Sequence, residues 1–351
     1  MKKFAVIALT QGGATTARHL IDQLKKQEYK VELILPERLA QRDEEFYSRG
    51  TFSATIQQLF RKYDCIVCIM ATGIVVRALA NVIVDKTVDP AVIVMDEKAN
   101  HVISLLSGHV GGANEWTVLI ARLMKSEPVI TTATDIEKVQ SLDILAKKVN
   151  GWYPNFKQNT KKINRLLAEK GLVELYIEPY LIKYVQHLSG FKQLKSVREH
   201  ESGIPLVVVS DHTGFTKNSD IIHVVPRVNV LGLGCRKNVT ITIMQEAFTE
   251  FCEQHQLLWQ SFIKLASIDI KSHEGAIQYL ASTLGCQLEF YSAAELKVAS
   301  KNYPESAFVL KTVGVGNVAC AAADYASGEH TVTERYANHE ITMALSRLSE
   351  I

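Results

Sequence analysis

The stretch Ser104-Leu-Leu-Ser-Gly-His-Val-Gly-Gly-Ala-Asn-Glu-Trp116 gathers the residue types that acid–base chemistry needs. An apolar run at 101–106 reads as a strand that empties into a loop holding Gly108, Gly111 and Gly112 around His109. Trp116, Leu119, Ile120, Leu123 and Met124 then recur at helical spacing, with Glu115 in the first turn. Glycine frees the amides at a helix start, where a carboxylate or other oxyanion is held. A neutral imidazole is a general base near pH 7, and Glu115 is placed to orient it or to act as the acid. The bland alternative is a helix entry in which His109 caps or packs.

Three further stretches carry polar groups at strand ends. Thr131-Thr-Ala-Thr-Asp135 follows an expected strand at 128–131, and open α/β sheets place ligands at such ends. Its hydroxyls and Asp135 suit polar substrate groups, unless Asp135 serves only as the N-cap of a helix at 136–148. Thr72-Gly-Ile-Val-Val-Arg77 offers a bidentate carboxylate clamp in Arg77, or else a solvated arginine. In Asp85-Lys-Thr-Val-Asp-Pro90, Asp85 and Lys86 flank a natural turn. Gly314-x-Gly316-x-x-Ala319 has the form of a dinucleotide fingerprint, but too little chain follows it for that fold. Gly232-x-Gly234 lacks the third small residue, although Arg236 and Lys237 beside it suit an anionic group. No Gly-x-Ser-x-Gly elbow is present, and His187, His200, His212 and His223 lack metal-ligand spacing.

Short β-rich runs alternating with helical patterns imply a multi-domain α/β fold with largely parallel sheets. A Rossmann-like N-terminal α/β unit is expected over 1–136, a middle α/β module over 137–226 and a smaller C-terminal α/β domain over 227–351. In the first, strands are expected at 4–9, 31–35 and 65–70, with helices at 14–26, 52–61 and 74–80. Residues 36–50 read as an exposed connection, and 91–95 with 101–106 as a hairpin. The middle module shows helices at 136–148 and 161–169 and strands at 172–177 and 206–209. In the last, a strand from 228 runs into a glycine loop and a helix at 239–254; 331–350 reads as a strand and an amphipathic helix.

Composition bounds the rest. With 39 Lys and Arg against 37 Asp and Glu, the chain lacks the basic field of a nucleic-acid binder. No apolar run approaches a membrane span, and the apolar start at 4–9 is too short for a secretory signal. A cytoplasmic location with reduced thiols is expected for the six scattered cysteines. Cys65 and Cys68 form a C-x-x-C inside an apolar strand, where their offset sends them to opposite faces.

Four motifs carry a family resemblance: Met70-Ala-Thr-Gly-Ile-Val-Val-Arg77, Asp85-Lys-Thr-Val-Asp-Pro-Ala-Val-Ile-Val-Met-Asp-Glu97, Leu105-Leu-Ser-Gly-His-Val-Gly-Gly-Ala-Asn114 and Pro128-Val-Ile-Thr-Thr-Ala-Thr-Asp135. In them the chain resembles the CbiG family of cobalt-precorrin-5A hydrolases from anaerobic cobalamin biosynthesis. Leu231-Gly-Leu-Gly-Cys-Arg-Lys237, Ala266-Ser-Ile-Asp-Ile-Lys271 and Phe290-Tyr-Ser-Ala-Ala-Glu-Leu296 are similar to the CbiG/CobE C-terminal domain. The chain departs from the family pattern at Ala319-Cys320, where the resemblance implies an acidic residue.

The resemblance implies a hydrolase that opens the δ-lactone of cobalt-precorrin-5A and releases acetaldehyde to give cobalt-precorrin-5B. Cobalt arrives with the substrate, so no protein-bound cofactor or metal is expected. Set against that chemistry, His109 is the candidate base, Glu115 or Asp135 the candidate proton donor to the macrocycle, and the amides of residues 111–113 the candidate oxyanion donors. The candidate substrate-binding residues are Thr72, Gly73, Arg77, Asp85, Lys86, Ser107, Gly108, Gly111, Gly112, Asn114, Thr132, Arg236 and Lys237. The expected partners are the cobalt-containing tetrapyrrole and, transiently, other enzymes of the corrin pathway; nucleic acid and membrane are not among them, and a homo-oligomer is left open. Two rival readings are a non-catalytic corrinoid carrier and an S-adenosylmethionine-dependent methyltransferase.

Overall fold

The computed structural model describes residues 2–48, 50–185, 187–215 and 220–350. Its backbone divides into two compact units, Met1–Val139 and Gln140–Ile351.

Unit 1 is built on one sheet. Its strands are β1 (Lys3–Ala8), β2 (Lys30–Pro36), β3 (Glu45–Tyr47), β4 (Cys65–Ile69), β5 (Ala91–Met95), β6 (His101–Leu106) and β7 (Glu127–Val129), in the order β3-β2-β1-β4-β5-β6-β7. The strands from β1 to β5 are mutually parallel. β6 then turns back antiparallel to β5, as the hairpin expectation requires, and β7 follows the direction of β6. Five helices accompany them: α1 (Gln11–Lys26), α2 (Phe52–Lys62), α3 (Thr72–Leu79), α4 (Ala113–Met124) and the short α5 (Ala133–Ile136). β4 and β5 are buried along their whole length, which is why they read as unbroken apolar runs. Val6, Cys65 and Val67 pack with α1 and α4, whereas Ile7, Ile66 and Cys68 pack with α2 and α3. Cys65 and Cys68 therefore lie on opposite faces, and burial pushes both thiols up.

Unit 2 carries two sheets. α6 (Leu142–Lys148) and α7 (Phe156–Ala168) precede a parallel sheet in the order β11-β10-β8-β9, made of β8 (Glu174–Ile177), β9 (Lys192–Gln193), β10 (Leu206–Val209) and β11 (Ile221–Val224). The second sheet has the order β14-β13-β12-β16-β15, from β12 (Asn229–Cys235), β13 (Phe262–Ile268), β14 (Gln287–Tyr291), β15 (Tyr336–Asn338) and β16 (Ile341–Arg347). Its helices are α8 (Ile241–Gln254), α9 (Gly275–Leu284), α10 (Ala293–Ser300), α11 (Ala307–Val313) and α12 (Val318–Ser327). No single helix among the described residues is long and apolar enough to cross a membrane.

Several local expectations need correction. α1 starts at Gln11, three residues before the expected 14, because Thr10 caps the helix and accepts from the Gly13 amide at 3.0 Å. Residues 36–50 contain the edge strand β3. The expected helix at 136–148 is two helices: Lys138, at φ +54°, leaves the right-handed region and stops α5. Gly232 and Gly234 lie inside β12, not in a loop after it. No helix forms within 331–350; Ile341, Met343 and Leu345 alternate into the core as strand β16 beside β12.

Candidate active site

The loop between β6 and α4 is folded by its glycines. Ser107 at φ +58° and Gly112 at φ +85° bend the chain through the left-handed region, which glycine enters without strain. A Cβ on Gly108 would stand 2.7 Å from Asn114 Oδ1, and one on Gly111 only 2.5 Å from the Ser107 Cβ, so larger residues are excluded. The loop also consumes its own amides. Gly112 N–H donates to the His109 carbonyl, Ala113 N–H to that of Ser107 and Asn114 N–H to that of Gly108, each at 3.1 Å. The amides of residues 112 and 113, expected to hold an oxyanion, are thus engaged within the loop.

What the loop presents is a side-chain network. His109 Nε2 lies 3.0 Å from Asp135 Oδ2 and 3.1 Å from Thr134 Oγ1. Asn114 Nδ2 donates to the same Asp135 oxygen at 2.9 Å and to Thr132 Oγ1 at 3.1 Å. Ser104 Oγ in turn donates to Asn114 Oδ1 at 2.6 Å, which fixes the way the amide faces. The His109 side chain is 11% exposed and that of Asp135 33%, so the pair is sheltered yet reachable. An ionised carboxylate only accepts, so Nε2 is the ring nitrogen that donates to Asp135. Asp135 is neither a lone N-cap nor distant from His109. It is the carboxylate that meets the imidazole, whereas Glu115 is exposed on the first turn of α4.

Strand direction decides which other residues share this site. β6 and β7 run against β1–β5, so the ends from which residues 107–112 and 130–135 emerge lie at the edge where β5 begins. A Cβ on Gly111 would stand 3.3 Å from the Ala91 amide nitrogen, at the start of β5. Asp85 and Lys86 precede β5 at this same edge; Asp85 Oδ1 accepts from the Thr87 amide and hydroxyl, and Lys86 is exposed. Thr72 and Gly73 follow β4 at the opposite edge, where Thr72, Thr10, Asp96, Glu97 and His101 line a cleft of about 410 Å³. Thr72 and Thr132 thus lie at opposite edges of the sheet. Arg77 donates to the Gly73 carbonyl at 3.0 Å. In unit 2, Arg236 pairs with Glu340 at 2.7 Å and Lys237 is exposed.

Ser104 and Thr134 belong to the network but were not singled out by sequence. Thr134 lies within the Thr131–Asp135 string, and Ser104 lies inside β6, three residues before the glycine loop begins at Ser107.

A multi-domain α/β protein with a sheltered histidine–carboxylate pair at a glycine-rich strand-to-helix loop is the class that fold and site define. The chain belongs to the cobalamin synthesis G family. Residues 54–135 match the model described as Cobalamin synthesis G N-terminal, 140–226 the Cobalamin biosynthesis central region and 229–346 the Cobalamin synthesis G C-terminus. Among curated relatives, the cobalt-precorrin-5A hydrolase of Salmonella typhimurium is 31% identical over 348 residues, covering 98% of this chain and 97% of its own. That of Priestia megaterium is 28% identical, with 97% and 94% covered. A solved cobalamin biosynthesis protein G homologue from Sulfolobus solfataricus is 21% identical with a TM-score of 0.42, covering 99% of this chain and 97% of its own.

Proposed function

We propose that this chain is a cytoplasmic cobalt-precorrin-5A hydrolase, opening the substrate's δ-lactone and releasing acetaldehyde to give cobalt-precorrin-5B. The observation that carries the reading is the end-to-end match to a hydrolase of that name at 31% identity. The His109–Asp135 pair supports it with groups suited to the chemistry. In the first stage His109 takes a proton from water as the water oxygen bonds to the lactone carbonyl carbon, and the ring C–O bond then breaks. Asp135 and Thr134 hold Nε2, fix the ring's orientation and stabilise the imidazolium that forms. The hydroxyl so released loses its proton, its carbon becomes the carbonyl of acetaldehyde, and the C–C bond to the macrocycle breaks. The electron pair stays on the macrocycle, which takes up a proton; Glu115, exposed on α4, is our candidate to deliver it. Lys86 shares the His109 edge and is our first choice to meet a peripheral carboxylate of the substrate.

We also propose three modules: a Rossmann-like one over 1–136, a middle one over 137–226 and a CobE-like one over 227–351. Three separate sheets and the three family-model segments support that division.

The test is anaerobic incubation of the purified chain with cobalt-precorrin-5A while acetaldehyde is followed. Release should fall by roughly a hundredfold or more in His109→Ala if this residue is the base. An unchanged rate removes His109 from the mechanism. Tight binding with no acetaldehyde from the unaltered chain would mark a carrier instead of a hydrolase.

A further inference from the structure

Another histidine–carboxylate pair stands at the end of α12, outside the network around His109. Gly328, at φ +76°, ends the helix with its N–H on the Asp324 carbonyl and turns the chain back. His330 thereby comes to lie with Nδ1 2.9 Å from Asp324 Oδ2. Asp324 is only 7% exposed, and the Tyr303 hydroxyl donates to its two oxygens at 2.8 and 2.7 Å. Thr331 completes the cluster by donating to that hydroxyl through its amide and its own hydroxyl. A carboxylate accepts only, so His330 Nδ1 carries the proton and Nε2 holds the lone pair.

The other ring nitrogen faces outward. The His330 side chain is 78% exposed at the rim of a groove of about 520 Å³, which Val298, Ala299, Asn302 and Tyr325 also line. Val298 is 77% exposed and Tyr325 47%, so the lining offers apolar and aromatic surface to a flat ligand. Two acidic residues at the groove are already engaged: Glu295 accepts from Ser292, and Glu329 lies 3.4 Å from Lys183. An imidazole whose rear N–H is held by a buried carboxylate is the arrangement that orients metal-ligating histidines. One imidazole fills one coordination position, so the ion it meets must bring its other ligands with it. Cobalt in a tetrapyrrole does so, with the macrocycle around its equator and an axial position open.

We propose that His330 Nε2 is an axial ligand to the cobalt of a tetrapyrrole lying flat against Val298 and Tyr325, with Asp324 and Tyr303 as its positioning residues. The proposal rests on the reading of the substrate as a cobalt tetrapyrrole, and gives the C-terminal part of unit 2 a holding site of its own.

The probe is cobyrinic acid reduced to Co(II), a cobalt corrin with peripheral carboxylates and no nitrogenous base. Bound to the full chain, it should show the three-line nitrogen splitting of an axial imidazole in its electron paramagnetic resonance spectrum. The splitting should vanish in His330→Ala and persist in His109→Ala, and affinity for the probe should fall about tenfold or more in His330→Ala. Circular dichroism matching the parent excludes misfolding, and His330→Gln provides a milder second variant that should also lose the splitting. Splitting that survives in His330→Ala, or that is absent from the parent, overturns the assignment. Acetaldehyde release without splitting overturns the ligation alone and leaves the hydrolase standing; splitting without acetaldehyde supports the ligation while the hydrolase falls.

Discussion

At the scale of single residues, the site turns on which carboxylate meets His109. Glu115 is the nearer in sequence, but the imidazole lies 3.0 Å from Asp135, twenty-six residues away in the chain. Asp135→Asn keeps the shape while removing the charge that stabilises an imidazolium, and should lower turnover by about ten- to a hundredfold with little change in KM. Glu115→Gln should spare lactone opening and slow only the later proton delivery, which rapid-quench analysis of acetaldehyde against opened lactone will separate. Gly108→Ala tests the scaffold, since its Cβ would stand 2.7 Å from the Asn114 oxygen that Ser104 holds. Its loss of activity should resemble that of Asn114→Ala. Both members of the His109–Asp135 pair were legible as candidates from residue type and position at strand ends. Their contact was not, because it depends on β6 and β7 running side by side, a pairing that no local pattern encodes.

At the scale of elements, periodicity revealed β4 and β5 because both faces of those strands are covered. It failed where one residue type serves two purposes. Gly232 read as a loop glycine, yet it sits in the middle of β12, where a Cβ would lie 1.9 Å from the Ala319 carbonyl oxygen and 2.7 Å from the Ala323 nitrogen. The alanine-rich α12 thus rests its backbone on the strand, and this close approach of Ala319–Ala323 is the reason for that glycine. Cys320, one of the two residues standing where the resemblance implies an acid, is buried in a cluster with Ala319 and Ala344 of β16. Gly232→Ala must displace the helix and should cost about 1–3 kcal/mol, read as a lowered urea midpoint. Gly275, in the first turn of α9, is the opposite case. Nothing stands within 4 Å of its Cβ position, and Gly275→Ala should raise stability by about 0.5–1 kcal/mol.

At the scale of the whole molecule, unit 2 has to hold two separate sheets together, and a buried charge network lies between them. Asp211 follows β10, while Asn229 and Arg347 come from β12 and β16; they donate to Asp211 Oδ2 at 2.9 and 3.1 Å. His212 Nδ1 lies 2.8 Å from the other oxygen, and the Arg347 guanidinium stacks 3.7 Å from the centre of the Tyr180 ring. Burial alone would raise the Asp211 carboxyl, but His212, Arg347, Tyr180 and Asn229 together hold it well below its ordinary range. His212 is raised, chiefly by the Asp211 carboxylate 2.8 Å from its Nδ1 and against the effect of its own burial. A depressed carboxyl stabilises above its ordinary value of 3.8 and ceases to do so as pH falls through the folded value. A raised imidazole stabilises fully below its ordinary 6.5, and that contribution is lost as pH rises through the folded value. The Asp211–His212 contribution to urea resistance should therefore be greatest between about pH 4 and 6.5, while His223 and His255, both lowered chiefly by burial, oppose it as pH falls below 6.5. The alkaline limb should be the shallower one, because His212 is 37% exposed and partly screened. In a Trp116→Phe background the remaining tryptophans, Trp152 and Trp259, both lie in unit 2 and report its unfolding alone. Asp211→Asn leaves the sheltered Arg347 without its charge partner and should cost about 3 kcal/mol, flattening both limbs as it lowers the plateau. A midpoint unmoved by that substitution would show that packing between the two sheets, rather than this charge network, keeps unit 2 in one piece.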